Sequence, residues 1–157
     1  MRIGQATDIH RLVENRPLIL GGVKIEFEKG LLGHSDADVL THAIAESIIG
    51  ALGQGDLGRH FPDTDPAYEG ISSLVLLERV YEMMDEMGYK VGNIDATVMI
   101  ERPKLAPYKK QMEINLAEVL RCEPERINVK ATRGEGLGFI GRQEGVQAFS
   151  VCLLEEK

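Results

Sequence analysis

Residues 93–100 read N-I-D-A-T-V-M-I, with Ile94, Ala96, Val98 and Ile100 alternating against Asp95, Thr97 and Met99. A period of two places the apolar set on one face of a strand, and that face has to be covered. Ile127, Val129 and Ala131 repeat the pattern further on. The cover is written in helical stripes. Leu40, Ala43, Ile44, Ser47, Ile48, Ala51 and Leu52 recur at helical spacing, which predicts a helix capped by Ser35 or Asp36 and running to about Leu52. Ser35 with Asp38 three residues on resembles a capping box with Asp in place of Glu. Ser72 or Ser73 opens a second stripe through Leu74, Leu77, Val80, Tyr81 and Met84, ending at Gly88, and Pro107 sits near the first turn of a third helix that runs to Arg121.

Arg2 to His10 reads as a strand, and residues 16–27 as strand, bend and strand around Gly21-Gly22. A glycine-rich turn over 134–145 leads to a last strand through Val151. The resulting order, β-β-β-α-α-β-α-β-β, predicts one domain over 1–157: an α+β sandwich of ferredoxin-like kind, a mixed sheet with helices on one face. Residues 53–70 stand out. They are rich in Gly, Pro and Asp and form a loop longer than compact domains usually carry without a function.

A net charge of −7 over 157 residues argues against a broad nucleic-acid or anionic-membrane surface. An anionic substrate would need local positive charge or metal ions. Cys122 and Cys152 lack C-x-x-C spacing and suit free thiols in a reducing compartment. The N-terminal M-R-I-G-Q-A-T-D-I-H has no apolar signal-peptide core, and no apolar run is long enough to span a membrane, so the expected location is cytoplasmic.

Residues 33–42, G-H-S-D-A-D-V-L-T-H, pack two histidines among capping residues. Along a helix, the separation of His34 from His42 is ~12 Å, too far for one ion, so at most one of them is a ligand. Asp8 and His10 lie at i and i+2, on one side of a strand. With one histidine from a helix packed on that strand they would make three N/O ligands with a fourth position open, the pattern of a catalytic zinc site. D-x-H alone favours a turn aspartate with surface or core-satisfied histidines over a metal site. Asp38 and Glu46 flank His42 by one turn each, and either could orient its ring or meet a substrate hydroxyl, or simply cap and solvate.

Three further segments bear on anions. G-D-L-G-R-H-F-P-D-T-D-P carries Asp56, Asp63 and Asp65 on rigid turns that suit sugar hydroxyls or metal-bound water. E-R-P-K-L-A-P-Y-K-K follows a strand and opens a helix, so Lys104 and first-turn N–H groups offer an anion or base elbow. In K-A-T-R-G-E-G-L-G-F-I-G-R-Q-E-G, Thr132, Arg133 and Arg142 are phosphate donors, and Glu135 and Glu144 are hard carboxylates suited to Mg²⁺ or Mn²⁺. It is not a Walker A loop, since no G-K-[ST] follows the glycines.

Taken in order, these segments resemble the 2-C-methyl-D-erythritol 2,4-cyclodiphosphate synthase family of non-mevalonate isoprenoid biosynthesis. The likeness runs through D-x-H at 8–10, GLLGHSDADVLTHAI at 30–44, GDLGRHFPDTDP at 55–66, GNIDAT at 92–97, RPKLAP at 102–107, NVKAT at 128–132 and EGLGFIGR at 135–142. The resemblance implies a homotrimeric lyase with active sites between subunits. It would convert 4-diphosphocytidyl-2-C-methyl-D-erythritol 2-phosphate to the cyclic diphosphate and release CMP.

By position, the resemblance gives Asp8, His10 and His42 to Zn²⁺ and Glu135 to Mg²⁺ or Mn²⁺. His34 and Ser35 would meet the attacking phosphate. Asp56, with Leu57 and Gly58, and the loop of Phe61, Pro62, Asp63, Thr64 and Asp65 would hold the methylerythritol. Ile100, Pro103, Lys104, Leu105 and Ala106 would form the cytosine segment, and Thr132 and Arg133 would sit at the diphosphate. Phe139 and Arg142 would lie around an axial cavity that can take an isoprenoid diphosphate. Departures from the family pattern are Ala6 and Thr7 in its first motif, Glu46 where Asp is usual, and Thr132-Arg133-Gly134-Glu135 in place of Thr-Thr-Thr-Glu. Arg133 would clamp a phosphate oxygen, swing to solvent or pair with a nearby acid. Rival readings are a zinc phosphohydrolase of nucleotide diphosphates and an isoprenoid-diphosphate-binding trimer with little turnover.

Overall fold

In a computed structural model that describes residues 1–157, the chain opens with β1 (Arg2–Glu14), β2 (Leu18–Leu20), β3 (Val23–Ile25) and β4 (Lys29–Leu32). Helix α1 (Val39–Ala51), the short α2 (Leu57–His60) and α3 (Ser73–Glu86) follow. Then come β5 (Tyr89–Met99), α4 (Lys109–Leu120), β6 (Ile127–Thr132), the short α5 (Gly138–Gly141) and β7 (Gly145–Glu156). Five strands form one mixed sheet in the order β4-β1-β7-β5-β6, and β2 and β3 pair separately. Only β5 and β6 run parallel, which needs a crossover, and α4 lies in it.

The alternation read from the sequence sets the layers. Ile94, Ala96 and Val98 of β5 are buried beside Ala148 and Cys152 of β7, under Ile44, Ile48, Leu77, Met84, Met112 and Leu116 from the helices. A Cβ at Gly4 would stand 1.9 Å from the Ser47 carbonyl oxygen, so glycine there lets α1 lie directly on β1. The opposite face is open: Ile3 is 73% and Val151 51% exposed, with Ile9 and Phe149 also exposed. Register pairs Thr7 with Phe149 and Gln5 with Val151, so these residues share one side.

Helix α1 starts later than the sequence suggests. Its N-cap is Asp38, which accepts from Thr41 N (3.0 Å) and Thr41 Oγ1 (2.7 Å). It also accepts from Gly21 N (3.0 Å) and Gly22 N (2.8 Å), tying α1 to the β2–β3 hairpin. Both glycines have positive φ, as a two-residue type I′ turn requires. The capping box expected from Ser35 does not form. Ala37 at φ 58° turns the chain out of helix just before Asp38, so Ser35 accepts from Ala37 N and Asp36 from Asp38 N instead.

β4 has no counterpart in the sequence reading. It pairs with the end of β1, Arg11 opposite Leu32 and Glu14 opposite Lys29, and so carries β1 past His10. Its Lys-Gly start hides the apolar pattern. β7 likewise runs on to Glu156, beyond Val151. The 53–70 segment contains two short helical turns, α2 and a 3₁₀ turn at Pro66–Tyr68, capped by Asp56 and Asp65 respectively. Glycine-rich 134–145 is broken by α5. No helix is long and apolar enough to cross a membrane.

Candidate metal centre and its cavity

The two-residue period of β1 turns Asp8 and His10 toward the helical layer, and the first turn of α1 brings His42 down onto them. Asp8 Oδ2 lies 3.1 Å from His10 Nε2 and 3.2 Å from His42 Nδ1. The third side, His10 Nε2 to His42 Nδ1, is 3.3 Å. A tetrahedral ion with bonds of about 2.0–2.1 Å has ligand–ligand edges of about 3.3 Å. The triangle therefore already has the size that a zinc-like ion needs, and its ligand types fit one. These residues are the chain's only cluster of metal-ligating side chains that converge in this way.

Each ring is held from behind. His10 Nδ1 donates to the Leu32 carbonyl at 2.8 Å, so the neutral ring presents its Nε2 lone pair to the triangle. His42 Nε2 faces Ser73 Oγ at 2.8 Å and Ser35 Oγ at 3.2 Å. Burial works against charge on Asp8, but the hydrogen-bonding and coulombic influence of the neighbouring His10 and His42 rings outweighs it and lowers its pKa to about 2. For His10 the same partnership outweighs a burial effect of opposite sign, and the pKa is raised.

The triangle floors a cavity of about 450 Å³ walled by His34, Ser35, Glu46, Leu57, Gly58, Phe61, Pro62 and Asp63. Ten residues expected at the site thus share one hollow: Asp8, His10, His42, His34, Ser35, Leu57, Gly58, Phe61, Pro62 and Asp63. The loop that builds the far wall is pinned to the floor. His34 Nε2 donates to the Asp65 carbonyl at 2.7 Å, and Glu46 accepts from Leu57 N at 3.1 Å. Phe61 meets Tyr68 edge-on at 5.5 Å between centroids. Asp56 and Asp65 spend their carboxylates on capping, and Thr64 is outside the cavity lining. Asp38 does not orient His42. It is fully buried among the N–H groups of Gly21, Gly22 and Thr41, and burial, the larger effect, raises its pKa despite those bonds.

The remaining expected residues form a second cluster. Ile100 N donates to the Thr132 carbonyl at 2.9 Å, so the 100–106 and 132–135 segments lie together. Ile100 and Leu105 are buried in the core, so any ligand would meet the backbone there and Pro103, Lys104 and Ala106. Glu101 joins the segments: it accepts from Gly134 N (2.8 Å), Gly136 N (3.3 Å) and Arg133 Nη2 (2.9 Å). Glu135 is exposed on that loop. Phe139 and Arg142 line a different hollow with Ile9 and Arg11.

Register relates the clusters. Ile9 pairs with Gln147, Gln147 with Met99, and Met99 with Thr132. Both clusters therefore lie at the same end of the sheet, three strand spacings or roughly 14 Å apart. Within one chain they do not share a cavity. Sequence reasoning missed Ser73 as a neighbour of His42 and Asp36 as the partner of Ser73. Ser73 read only as a helix start, and nothing in its spacing marks a partner 31 residues away.

Comparison with known proteins places this geometry among relatives. The family model described as YgbB family matches residues 1–155. A 2-C-methyl-D-erythritol 2,4-cyclodiphosphate synthase from Geotalea uraniireducens is 59% identical over 157 residues, covering all of both chains. One from Pelobacter propionicus is 60% identical over 154 residues, 98% of each chain. Among solved structures, a 2C-methyl-D-erythritol-2,4-cyclodiphosphate synthase with CDP bound superposes at TM-score 0.90 with 38% identity, covering 98% of this chain and 100% of the other. The bifunctional IspDF from Campylobacter jejuni gives TM-score 0.95 and 44% identity; the match covers 99% of this chain and 42% of that longer one.

Proposed function

Because the chain belongs to the YgbB family, we propose that it is a cyclodiphosphate synthase, a phosphorus–oxygen lyase that forms 2-C-methyl-D-erythritol 2,4-cyclodiphosphate and releases CMP. The substrate is 4-diphosphocytidyl-2-C-methyl-D-erythritol 2-phosphate. Its 2-phosphate oxygen attacks the β-phosphorus, the bond from that phosphorus to the α-phosphate oxygen breaks, and CMP leaves with the electron pair. The nucleophile is carried by the substrate, so no enzyme side chain forms a covalent bond.

The observation that carries this reading is the Asp8–His10–His42 triangle on the floor of the cavity that also holds His34, Ser35 and the 57–63 wall. Zn²⁺ at that triangle and Mg²⁺ or Mn²⁺ at Glu135 supply Lewis acidity and a template for crowded phosphate charge. A lone exposed carboxylate suits Glu135 for the second role, since Mg²⁺ typically keeps substrate phosphates and water as its other ligands.

The chain's own contribution is to fold the substrate back on itself and to keep it there. His34 and Ser35, beside the triangle, take the attacking phosphate. The Phe61 to Asp63 wall, with Leu57 and Gly58, holds the methylerythritol in the cavity, and Asp56 and Asp65 cap the turns that carry it. The 100–106 segment takes the cytosine, and Thr132 with the loop N–H groups takes the diphosphate. Since the two clusters lie on one sheet end without sharing a hollow, the complete site is assembled between subunits. The open sheet face with Ile3, Ile9, Phe149 and Val151 supports a homotrimer. The hollow at Phe139 and Arg142 then lies near the axis, where an isoprenoid diphosphate can be held. The protein works in the cytoplasm.

CMP release from the CDP substrate, with and without a zinc chelator, tests the reading. Phosphorus NMR must show the cyclic diphosphate. A non-cyclised product would assign the protein to phosphohydrolases instead.

A further inference from the structure

His42 has two hydroxyls within reach of its Nε2, and they are not equivalent. Ser73 Oγ is the nearer, at 2.8 Å against 3.2 Å for Ser35. Ser73 is completely buried and absent from the cavity wall, whereas Ser35 lines it. Behind Ser73 stands Asp36, whose Oδ1 bonds to Ser73 Oγ and whose Oδ2 accepts from Ser73 N at 3.0 Å. A carboxylate oxygen only accepts, so the Ser73 hydroxyl proton points at Asp36. That leaves the Ser73 oxygen as an acceptor, and the hydrogen between it and His42 must come from Nε2. One proton thus resides on Nε2, so in the neutral ring it is Nδ1, the atom facing Asp8 at 3.2 Å and His10, that carries the lone pair.

We propose that Ser73, oriented by Asp36, is a positioning residue that fixes the His42 tautomer for metal ligation and leaves the Ser35 hydroxyl free for the substrate phosphate. This rests on the metal-centre reading above. The chain also has a mechanical side. Asp36 N donates to the Ile71 carbonyl (3.0 Å) and Gly70 N to the His34 carbonyl (2.8 Å). The end of the 53–72 segment is therefore fastened to the strand of residues that presents His34 and Ser35. Ser73, the first residue of α3, sits at that fastening. Outer partners of metal-binding histidines typically matter 10–100-fold in metal affinity.

The test compares wild type, Ser73→Ala and Ser35→Ala in zinc dissociation constant, by competition with a chromogenic chelator. It also reads the His42 ring ¹⁵N shifts in the zinc-free protein. Ser73→Ala is expected to weaken zinc roughly 10–100-fold and to mix the His42 tautomers, with Ser35→Ala weakening it less and leaving the Nε2–H form intact. Should Ser73→Ala not fold, Ser73→Cys, close in size but a poor acceptor, takes its place. Wild type that holds zinc beside a Ser73 variant that holds it equally overturns this inference alone. So does a larger loss in Ser35→Ala. Wild type that holds no zinc overturns the metal-centre reading and this inference with it.

Discussion

His10 Nε2 and His42 Nδ1 stand 3.3 Å apart, although 32 residues separate them in the chain. Both rings are fixed from outside, by the Leu32 carbonyl and by Ser73. With both rings neutral, two lone pairs and the Asp8 carboxylate then point at one spot. Such a spot is stable only if a proton or a cation fills it.

Removing one corner should empty it. His42→Ala leaves two protein ligands, which rarely hold zinc against water. The expected outcome is loss of zinc on gel filtration, with the fold retained by circular dichroism. One zinc per chain in that variant by elemental analysis would refute the assignment.

The same triangle sets a pH dependence. Asp8's lowered pKa contributes stability to the zinc-free protein above its unfolded value of ~3.9, and this is lost as pH falls toward about 2. His10's raised pKa contributes stability that is full below its ordinary 6.5 and lost as pH rises through the higher folded value. Melting temperature without zinc should therefore fall between about pH 6 and about pH 8. Zinc competes with the protons, so the rise in melting temperature on adding it should grow over that interval. Calorimetry at both pH values checks this; an increment that shrinks with pH contradicts it.

The open sheet face leads to a third prediction. Val151 is half exposed in the row of apolar residues that no helix covers. Val151→Glu would place a charge in the proposed subunit contact, where burial without a partner is costly. Light scattering should give a trimer for wild type and a smaller species for the variant. CMP release should drop with it, because the two clusters would no longer meet, while zinc retention persists. Wild type that is monomeric at micromolar concentration would undo the interfacial site.

Much of the fold was legible in the sequence, because alternation in β5 and the stripe of α1 are strong periodic signals. D-x-H on a strand put Asp8 and His10 on one side, but the choice of His42 as their partner came from the family resemblance, since 32 residues separate it from His10. β4 was not legible, because four residues beginning Lys-Gly carry no period and owe their strand form to β1. The cap of α1 was misplaced, since Asp38 is selected by Gly21 and Gly22, which sequence spacing cannot bring near it. Ser73 and Glu101 escaped for the same reason: their partners lie 31 and 32 residues away on other elements.

Arg133 is the departure with the largest consequence. Of the outcomes open to it, the structure has the pairing with an acid: its Nη2 meets Glu101 Oε1 at 2.9 Å. Glu101 is also where Gly134 N and Gly136 N converge, and these three donors hold its pKa below the ordinary value despite the cost of desolvation. An exposed guanidinium loses little freedom in one such bond and keeps further donors for a diphosphate. Glu101 would then aim Arg133 as well as brace the loop. Losing a well-placed donor costs ~10²–10³ in kcat, and a partly engaged one less, so Arg133→Ala is expected to slow CMP release by about tenfold or more at saturating substrate. Glu101→Gln should slow it too, by freeing the arginine. The double variant should be no slower than the worse single one, because both changes remove one coupled unit. Single-variant losses that simply add would mean that Glu101 acts on the loop alone. An unchanged rate in Arg133→Ala would leave the arginine as a surface partner of Glu101, with the diphosphate held by the backbone N–H groups of the loop.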